Sequence, residues 1–252
     1  MRRHSGAPRK PRRPITLSLL KELRPYVNDG TLKGKAHWAA MCMGVHGLFR
    51  LGELLPPPKS ELELKNNDVR MTSEHHATVH LRRSKTDQFG KGAHVNLFAT
   101  GDDTCPLAAI RELRKAQEDG GIAVNDLTPL FAVKATGAAR SLTKPDLIKK
   151  MRQAVGALAK AHPEWGLVSK DFAGHSLRRG GATSLALRGV TQPVLRLLGR
   201  WESDAVNLYI DLPVTSLKEA SKVMTAEAAR FREADLRAAA SPLPGSKWVL
   251  EL

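Results

Sequence analysis

The sequence predicts an α+β fold that is mainly helical and contains one small three-stranded antiparallel sheet. Apolar residues recur at helical spacing through most of the 252 residues, whereas alternating and β-branched residues cluster between 67 and 98. Glycines and prolines mark the boundaries between these segments. Because 42% of the residues are apolar, the chain can bury one sizeable core, and we expect one main domain over 15–240.

The first half of the chain combines helices with the sheet. Thr16 is a suitable N-cap for a helix that runs to about Val27, and a second helix is predicted at 34–48. Three consecutive prolines at 56–58 then break the helical pattern, because proline fixes φ and lacks an N–H donor. Strands are predicted at 67–72, 77–84 and 93–98, with the Gly-containing segment KTDQFGKG as the hairpin connection between the last two.

The second half is predicted to be helical. Pro106 near the start, and Gly120 and Gly121 beyond the end, delimit a helix at 105–118. Further helices are predicted at 143–160, 176–188, 191–199, 203–210 and 215–239. The last residues, 241–252, are expected to form a tail.

The charge of the chain predicts a polyanionic partner. Forty Lys and Arg against 25 Asp and Glu give a net charge of +15. Residues 1–14 are rich in Arg and Pro and are predicted to be a disordered basic arm, but the remainder of the chain is basic as well. Nucleic acid is therefore the expected partner, although charge alone indicates association and not chemistry.

Several classes of protein are disfavoured. Cys42 and Cys105 are far apart in sequence, so neither a disulfide framework nor a zinc knuckle is predicted. His75 and His76 have no Cys or Asp at zinc spacing beside them, and we predict neither a metal nor another cofactor. No apolar run approaches the roughly 18 residues of a membrane span, and no secretory signal is recognised. An intracellular, reducing setting is expected.

Five short segments supply groups suited to cleaving a phosphodiester. A phosphodiester under attack develops negative charge on its nonbridging oxygens, which guanidinium groups match with paired donors. Arg50 and Arg178 are the candidates for this role, and His175 shares a helix face with Arg178. The segments are GLFRLGELL at 47–55, RRSKTDQFGKG at 82–92, GHSLRRGGATSLALRG at 174–189, LLGRW at 197–201 and NLYID at 207–211.

Two of these segments also contain residues with a supporting role. Glu53 follows Arg50 by three residues and would hold a guanidinium or His175 in place if a turn forms there. Gly180 and Gly181 would allow the backbone to approach DNA closely.

The nucleophile is predicted from a choice between two tyrosines. Tyr26 ends the first predicted helix, far in sequence from every segment, whereas Tyr209 follows Trp201 by eight positions. A phenol with an ordinary pKa of about 10 needs nearby cations for activation, which favours Tyr209. Lys85, just before the hairpin turn, would protonate the leaving oxygen, with Lys91 as the alternative.

In order and content the five segments resemble the tyrosine recombinases, or phage integrases, over about 15–215. The GRW…Y ending and the paired glycines are most similar to recombinases of Crypton- and DIRS-like mobile elements. The resemblance implies the tyrosine-recombinase catalytic domain fold and strand cleavage through a 3′-phosphotyrosyl intermediate, for site-specific recombination or integration of a mobile element. The implied catalytic residues are Arg50, Lys85, His175, Arg178, Trp201 and Tyr209.

Two details of the resemblance concern the last two implied catalytic residues, Trp201 and Tyr209. Trp201 stands where many relatives have a histidine and some a tryptophan; its indole can donate to a phosphate oxygen but cannot shuttle protons. The spacing of eight to Tyr209 is one shorter than is usual in the family.

The resemblance also implies partners. It predicts double-stranded DNA as substrate and a homotetramer on paired DNA sites, with the last helix or tail exchanged between protomers. Residues 1–14 do not supply the N-terminal DNA-clamping domain of many relatives, and the location is the nucleus if the element is eukaryotic, otherwise the cytoplasm. DNA contacts are expected from Arg83, Lys91, Arg179 and Arg200.

Two alternatives to a recombinase stay open. A type IB topoisomerase would use nearly the same residues to relax DNA, and a catalytically silent relative would only bind it. A metal nuclease is disfavoured because the carboxylates near the five segments are scattered.

Overall fold

The computed structural model describes residues 12–58, 60–82, 92–134, 139–202 and 204–210. Seven α-helices lie within these ranges, and side-chain caps define several of their starts. The Thr16 hydroxyl accepts from the backbone N–H of Leu19, and Thr143 forms a capping box with Asp146. The helices are α1 (Leu17–Val27), α2 (Leu32–His46), α3 (Leu51–Leu54), α4 (Pro106–Asp119), α5 (Lys144–Ala161), α6 (His175–Ala186) and α7 (Gln192–Gly199).

The predicted three-stranded antiparallel sheet is confirmed. Its strands β1 (Val69–Met71), β2 (His76–Leu81) and β3 (Ala93–Phe98) lie in that order, with Val79 opposite Val69 on one side and Val95 on the other. Alternate residues of β2 are buried, so one face of the sheet covers the core.

Most predicted helices agree with the structure to within about two residues, the usual uncertainty of a helix end. The predicted helix at 203–210 is instead a 3-10 helix (Asp204–Tyr209). The predicted helix at 215–239 and the tail at 241–252 lie outside the described residues. No described helix is long and apolar enough to cross a membrane.

The sequence did not predict several short elements. These are α3, a second sheet of β4 (Ala132–Lys134) with β5 (Ala139–Ser141), and three 3-10 turns at Asn66–Asp68, Pro163–Trp165 and Ser169–Asp171. An element of three or four residues is too short to show a periodic pattern, so its formation depends on contacts with the rest of the fold.

The buried apolar side chains of the described residues form two clusters. The main core surrounds α2, whose residues from Ala36 to Val45 are all buried, and includes α1, α4, α5 and the inner face of the three-stranded sheet. A smaller cluster lies between α6, α7 and the 3-10 helix at the end of the described chain. It consists of Leu48, Ala182, Leu195, Trp201 and Val206.

Gly180 and Gly181 lie inside the protein, so the prediction that they bring the backbone close to DNA is wrong. A Cβ atom on Gly180 would lie 1.7 Å from the Ile15 carbonyl oxygen, and one on Gly181 would lie 2.2 Å from that of Val45. The two glycines therefore allow α6 to pack directly against the chain entering α1 and against α2.

The described end of the predicted basic arm is in contact with the domain. The backbone N–H of Arg13 donates to the Asp171 carbonyl at 3.0 Å, and the Arg12 and Arg13 side chains donate to the carbonyls of Lys170 and Gly166. Residues 1–11 lie outside the described ranges.

Candidate active site

Arg50 and Glu53 are joined by the short helix α3. Arg50 is its N-cap; its backbone N–H donates to Glu53 Oε2 at 2.8 Å and its guanidinium to Oε1 at 2.9 Å. The turn that the i, i+3 spacing requires is therefore present. The Glu53 side chain is only 5% exposed, so its charge is stabilised by these donors and not by water.

Arg200 is a second cationic partner of Glu53. Its Nη2 lies 3.0 Å from Glu53 Oε2, and its guanidinium also donates to the carbonyls of Gly47 and Leu48 at 3.2 and 3.3 Å. Arg200 follows α7 in the left-handed region at φ 57°, which reverses the chain before Trp201. Burial lowers the pKa of Arg200, and the nearby Glu53 carboxylate opposes that shift.

Arg178 extends from α6 into the interior and has no exposed surface. Its terminal nitrogens donate to the carbonyls of Leu48 and Gly199. Burial, followed by the proximity of Arg50 and Arg200, lowers the pKa of Arg178 to about 10, so this guanidinium is charged at neutral pH. The buried Nε of Arg178 has no hydrogen-bond partner among the described residues.

Two aromatic rings cover the Arg178 guanidinium. Its central carbon lies 4.2 Å from the centre of the Trp201 ring and 5.5 Å from that of Tyr209, and the two rings are 5.3 Å apart. His175 is exposed beside them, with its ring centre 6.2 Å from that of Tyr209. The structure therefore brings the candidates from 174–189, 197–201 and 207–211 together.

The other tyrosine lies elsewhere. Tyr26 packs at the margin of the main core, whereas Tyr209 packs at the margin of the small cluster, among the cationic side chains. The structure therefore places Tyr209, and not Tyr26, next to Arg178.

The remaining predicted DNA contacts fall into two groups. Two of them, Arg83 and Lys91, lie outside the described residues, as does the predicted proton donor Lys85. Arg179 donates to the Leu208 carbonyl, and Arg200 has a side chain only 16% exposed. In this arrangement Arg179 binds a carbonyl of the Tyr209 segment, and Arg200 binds Glu53 and the carbonyls of Gly47 and Leu48.

Sequence reasoning did not identify the backbone groups of this site. The Leu48 carbonyl, on a residue at φ 48°, accepts from both Arg178 and Arg200, and no residue-type pattern marks such an acceptor. Gly199, by contrast, belongs to the LGRW motif, so a sequence pattern does mark it. A Cβ there would lie 1.6 Å from the Trp201 ring, so the ring can fold back only over glycine.

The arrangement is suited to an anionic substrate. Arg50 and Arg200 bind the same carboxylate, Glu53, and Arg178 is close enough to feel its charge. Among the described residues this cluster therefore has more positive than negative charge, and a phosphate could neutralise the excess. Within the described ranges no group of three or more His, Cys, Asp or Glu side chains could hold a metal ion.

Some known proteins are similar to this chain in sequence or in fold. No protein-family model matches the sequence. The chain is 26% identical over 214 residues to an "integrase/recombinase xerD homolog" of Selenomonas ruminantium, with 84% of this chain and 57% of that protein covered. The chain therefore spans a little over half the length of this curated relative.

Solved structures with a similar fold are recombinases and integrases. The XerH site-specific recombinase bound to a palindromic difH substrate superposes with a TM-score of 0.59 at 18% identity, covering 88% of this chain and 56% of that one. The Tn1549 transposon integrase in complex with transposon right-end DNA gives 0.56 at 18%, covering 90% and 68%. The fold of this chain is thus the tyrosine-recombinase fold, and in sequence the chain is similar to a recombinase/integrase homologue.

Proposed function

We propose that this chain cleaves and rejoins DNA strands through a 3′-phosphotyrosyl intermediate, with Tyr209 as the nucleophile. The observation that carries the proposal is the packing of the Tyr209 ring against Arg178 and Trp201, beside His175. The related proteins are a recombinase homologue and structures solved on DNA substrates, which agrees with this chemistry.

The proposed reaction assigns one role to each group. Arg50 and Arg178 neutralise the charge that develops on the nonbridging oxygens, and Trp201 supplies a further N–H donor. The Tyr209 oxygen forms a bond to phosphorus and gives its proton to His175, while the bond to the 5′ oxygen breaks. Lys85 protonates that oxygen. Attack by a 5′ hydroxyl reverses the step, because the covalent bond retains the energy of the broken strand.

Binding of the phosphate requires a rearrangement around Arg178. In the described arrangement the donors of this arginine are bound to carbonyls, and the rings of Trp201 and Tyr209 lie over its guanidinium. Displacement of the Tyr209 ring would uncover the guanidinium and at the same time free the phenol for attack. We interpret the described arrangement as the one before DNA binds.

A covalent adduct tests the proposal. A pool of nicked DNA duplexes of randomised sequence should trap a protein–DNA adduct in the presence of EDTA, because the nick allows the short 5′ product to diffuse away. Tyr209→Phe should abolish the adduct, and Tyr26→Phe, the matched control, should retain it. An adduct that survives Tyr209→Phe would rule out the assigned nucleophile.

The biological outcome of cleavage is part of the proposal. We propose recombination or integration of a Crypton- or DIRS-like mobile element by a homotetramer on paired double-stranded DNA sites, supported by the GRW…Y segment and the transposon integrase neighbour. Arg83, Lys91 and Arg179 are proposed to contact the DNA backbone. Relaxation of supercoiled plasmid without strand exchange would instead indicate a topoisomerase, and salt-sensitive binding with no adduct would indicate a silent binder.

A further inference from the structure

Glu53 accepts hydrogen bonds from two arginines, Arg50 and Arg200, that lie far apart in the sequence. Its Oε1 accepts from Arg50, and its Oε2 accepts from the Arg50 backbone and from Arg200. Because this carboxylate is 5% exposed, removal of either arginine leaves a buried charge with fewer donors. The position of Arg50 and that of Arg200 are therefore linked through one side chain.

Arg200 also reaches the partner of Arg178. The Leu48 carbonyl accepts from Arg178 Nη1 and from Arg200 Nη2, so one acceptor fixes two guanidinium groups. The ring of Phe49 lies 5.4 Å from the central carbon of Arg200 and covers another side of it. Arg200 thus contacts groups that position both proposed phosphate-binding arginines, although little of its own side chain is available to DNA.

The backbone around Arg200 connects this network to the nucleophile. Arg200 adopts φ 57°, a strained conformation that residues other than glycine seldom adopt. The residue after it is Trp201, which packs on Arg178 and on the Tyr209 ring. The hydrogen bonds of the Arg200 side chain offset that strain and fix the direction in which the chain continues to Tyr209.

We propose that Arg200 is a positioning residue that ties the segment containing Trp201 and Tyr209 to the Glu53–Arg50 pair. Through these hydrogen bonds the backbone that carries Trp201 and Tyr209 is held next to the phosphate-binding arginines, while the Tyr209 side chain remains able to turn away from Arg178. The inference rests on the proposed function and replaces the expectation that Arg200 contacts DNA. It requires an arginine, because a planar fork can reach a carboxylate and two carbonyls at once, whereas a lysine ammonium is a single point charge.

The first test measures, without DNA, whether Arg200 stabilises both segments that it connects. Backbone hydrogen exchange, resolved by peptide, should become at least tenfold faster in both 47–55 and 197–209 for Arg200→Lys. Arg196→Gln is the matched control, since Arg196 lies in α7 and donates to the Glu202 carbonyl, a contact that Arg200 does not make. It should leave exchange in 47–55 unchanged. Unchanged exchange at 47–55 in Arg200→Lys would overturn the proposal even if the chain never cleaves DNA.

The second test separates positioning from DNA contact. For Arg200→Lys and Glu53→Asp we expect a Kd for duplex DNA within twofold of the wild type and an unchanged salt dependence. The single-turnover rate of adduct formation should fall by about 100-fold, the scale expected for a misplacement of about 1 Å. Because lysine keeps the charge that a phosphate contact needs, the salt slope is also compared for Arg200→Gln, and a slope reduced by about one in that variant would show instead that Arg200 binds a phosphate. A wild-type rate in Arg200→Lys would also contradict the proposal.

Glu53 and Arg200 should act as a unit, because each positions the site through its bond to the other. The double variant Glu53→Asp with Arg200→Lys should form the adduct no more slowly than the slower single variant, whereas multiplied losses would contradict a shared role. Urea midpoints of all variants control for folding. Absence of a Tyr209-dependent adduct in the wild type would refute the proposed function, and the hydrogen-exchange result would still decide the role of Arg200.

Discussion

The two apolar clusters of this protein are stabilised in different ways. In the main core, α2 is enclosed on all sides by other elements, and Trp38 and Met41 have almost no exposed surface. The small cluster buries only a few side chains, and α7 beside it leaves Leu197 79% exposed. The segment leading to Tyr209 is instead held by hydrogen bonds from Arg178, Arg179 and Arg200 to carbonyls or to Glu53.

This difference bears on how the site can work. Burial of an apolar side chain contributes about 1.5–3 kcal/mol and is lost only when the packing is disrupted. A hydrogen bond from a guanidinium to a carbonyl contributes about 1.5–3 kcal/mol net and can be exchanged for one to a phosphate oxygen. The scaffold is thus resistant to rearrangement, whereas the nucleophile segment can be rearranged by an anionic ligand.

The largest effect is expected from a truncation in the main core. Leu113 of α4 is completely buried, so Leu113→Ala should lower the free energy of unfolding by about 2–5 kcal/mol through lost burial and a cavity. Urea denaturation measures the change. Leu127→Ala, at a position 69% exposed, is the control and should have almost no effect. A cost below about 1 kcal/mol for Leu113→Ala would show that the core relaxes around the cavity.

Acid should also weaken the main core, through His37. This side chain is buried in α2, both ring nitrogens lack a hydrogen-bond partner among the described residues, and burial with two nearby lysines lowers its pKa to about 4. Since the pKa is lower in the folded state, His37 binds a proton on unfolding. The free energy of unfolding should therefore fall between pH 6.5 and pH 4, by about 3 kcal/mol from this residue.

The His37 prediction is tested by comparing how the stability of His37→Leu and of the wild type depends on pH. Burial also lowers the pKa of His46, which adds its own acid sensitivity in this range, and the lowered pKa values of Asp29 and Asp146 add theirs at lower pH. The absolute pH profile is therefore not diagnostic. His37→Leu should reduce the loss of stability between pH 6.5 and pH 4, whereas His94→Gln, at an exposed position of β3, should leave it unchanged. Parallel profiles for His37→Leu and the wild type would contradict the prediction.

A smaller effect on stability is expected in the small cluster. Leu195 is buried there against a few apolar neighbours. If the small cluster opens before the main core unfolds, Leu195→Ala should lower the free energy of unfolding of the whole domain by less than about 1 kcal/mol. Hydrogen exchange in 192–209 should nevertheless accelerate. If the global midpoint falls as far as for Leu113→Ala, the two clusters unfold as one unit and the comparison fails.

The sequence predicted the long elements of this fold and suggested the side chains of the candidate site, and the reasons are physical. A stripe such as that of α5 spans many turns, and Thr143 and Asp146 mark its start, so periodicity and capping act together. Arg178 and Tyr209 were found because phosphate chemistry requires particular side chains. The role of the Leu48 carbonyl, and the binding of Arg200 to Glu53, arise from tertiary contacts that no local pattern encodes.

The smallest expected effect tests whether the Tyr209 ring shields Arg178 from DNA. Tyr209→Ala should uncover the guanidinium and lower the Kd for duplex DNA by about two- to fivefold, which corresponds to roughly 0.4–1 kcal/mol. Tyr209→Phe keeps the ring and should bind like the wild type, and Tyr26→Ala controls for loss of a tyrosine elsewhere. Titrations at several salt concentrations should show an additional phosphate contact for Tyr209→Ala, as a steeper slope by about one. Equal affinities for the alanine and phenylalanine variants would mean that the carbonyls of Leu48 and Gly199, and not the ring, keep Arg178 from the DNA.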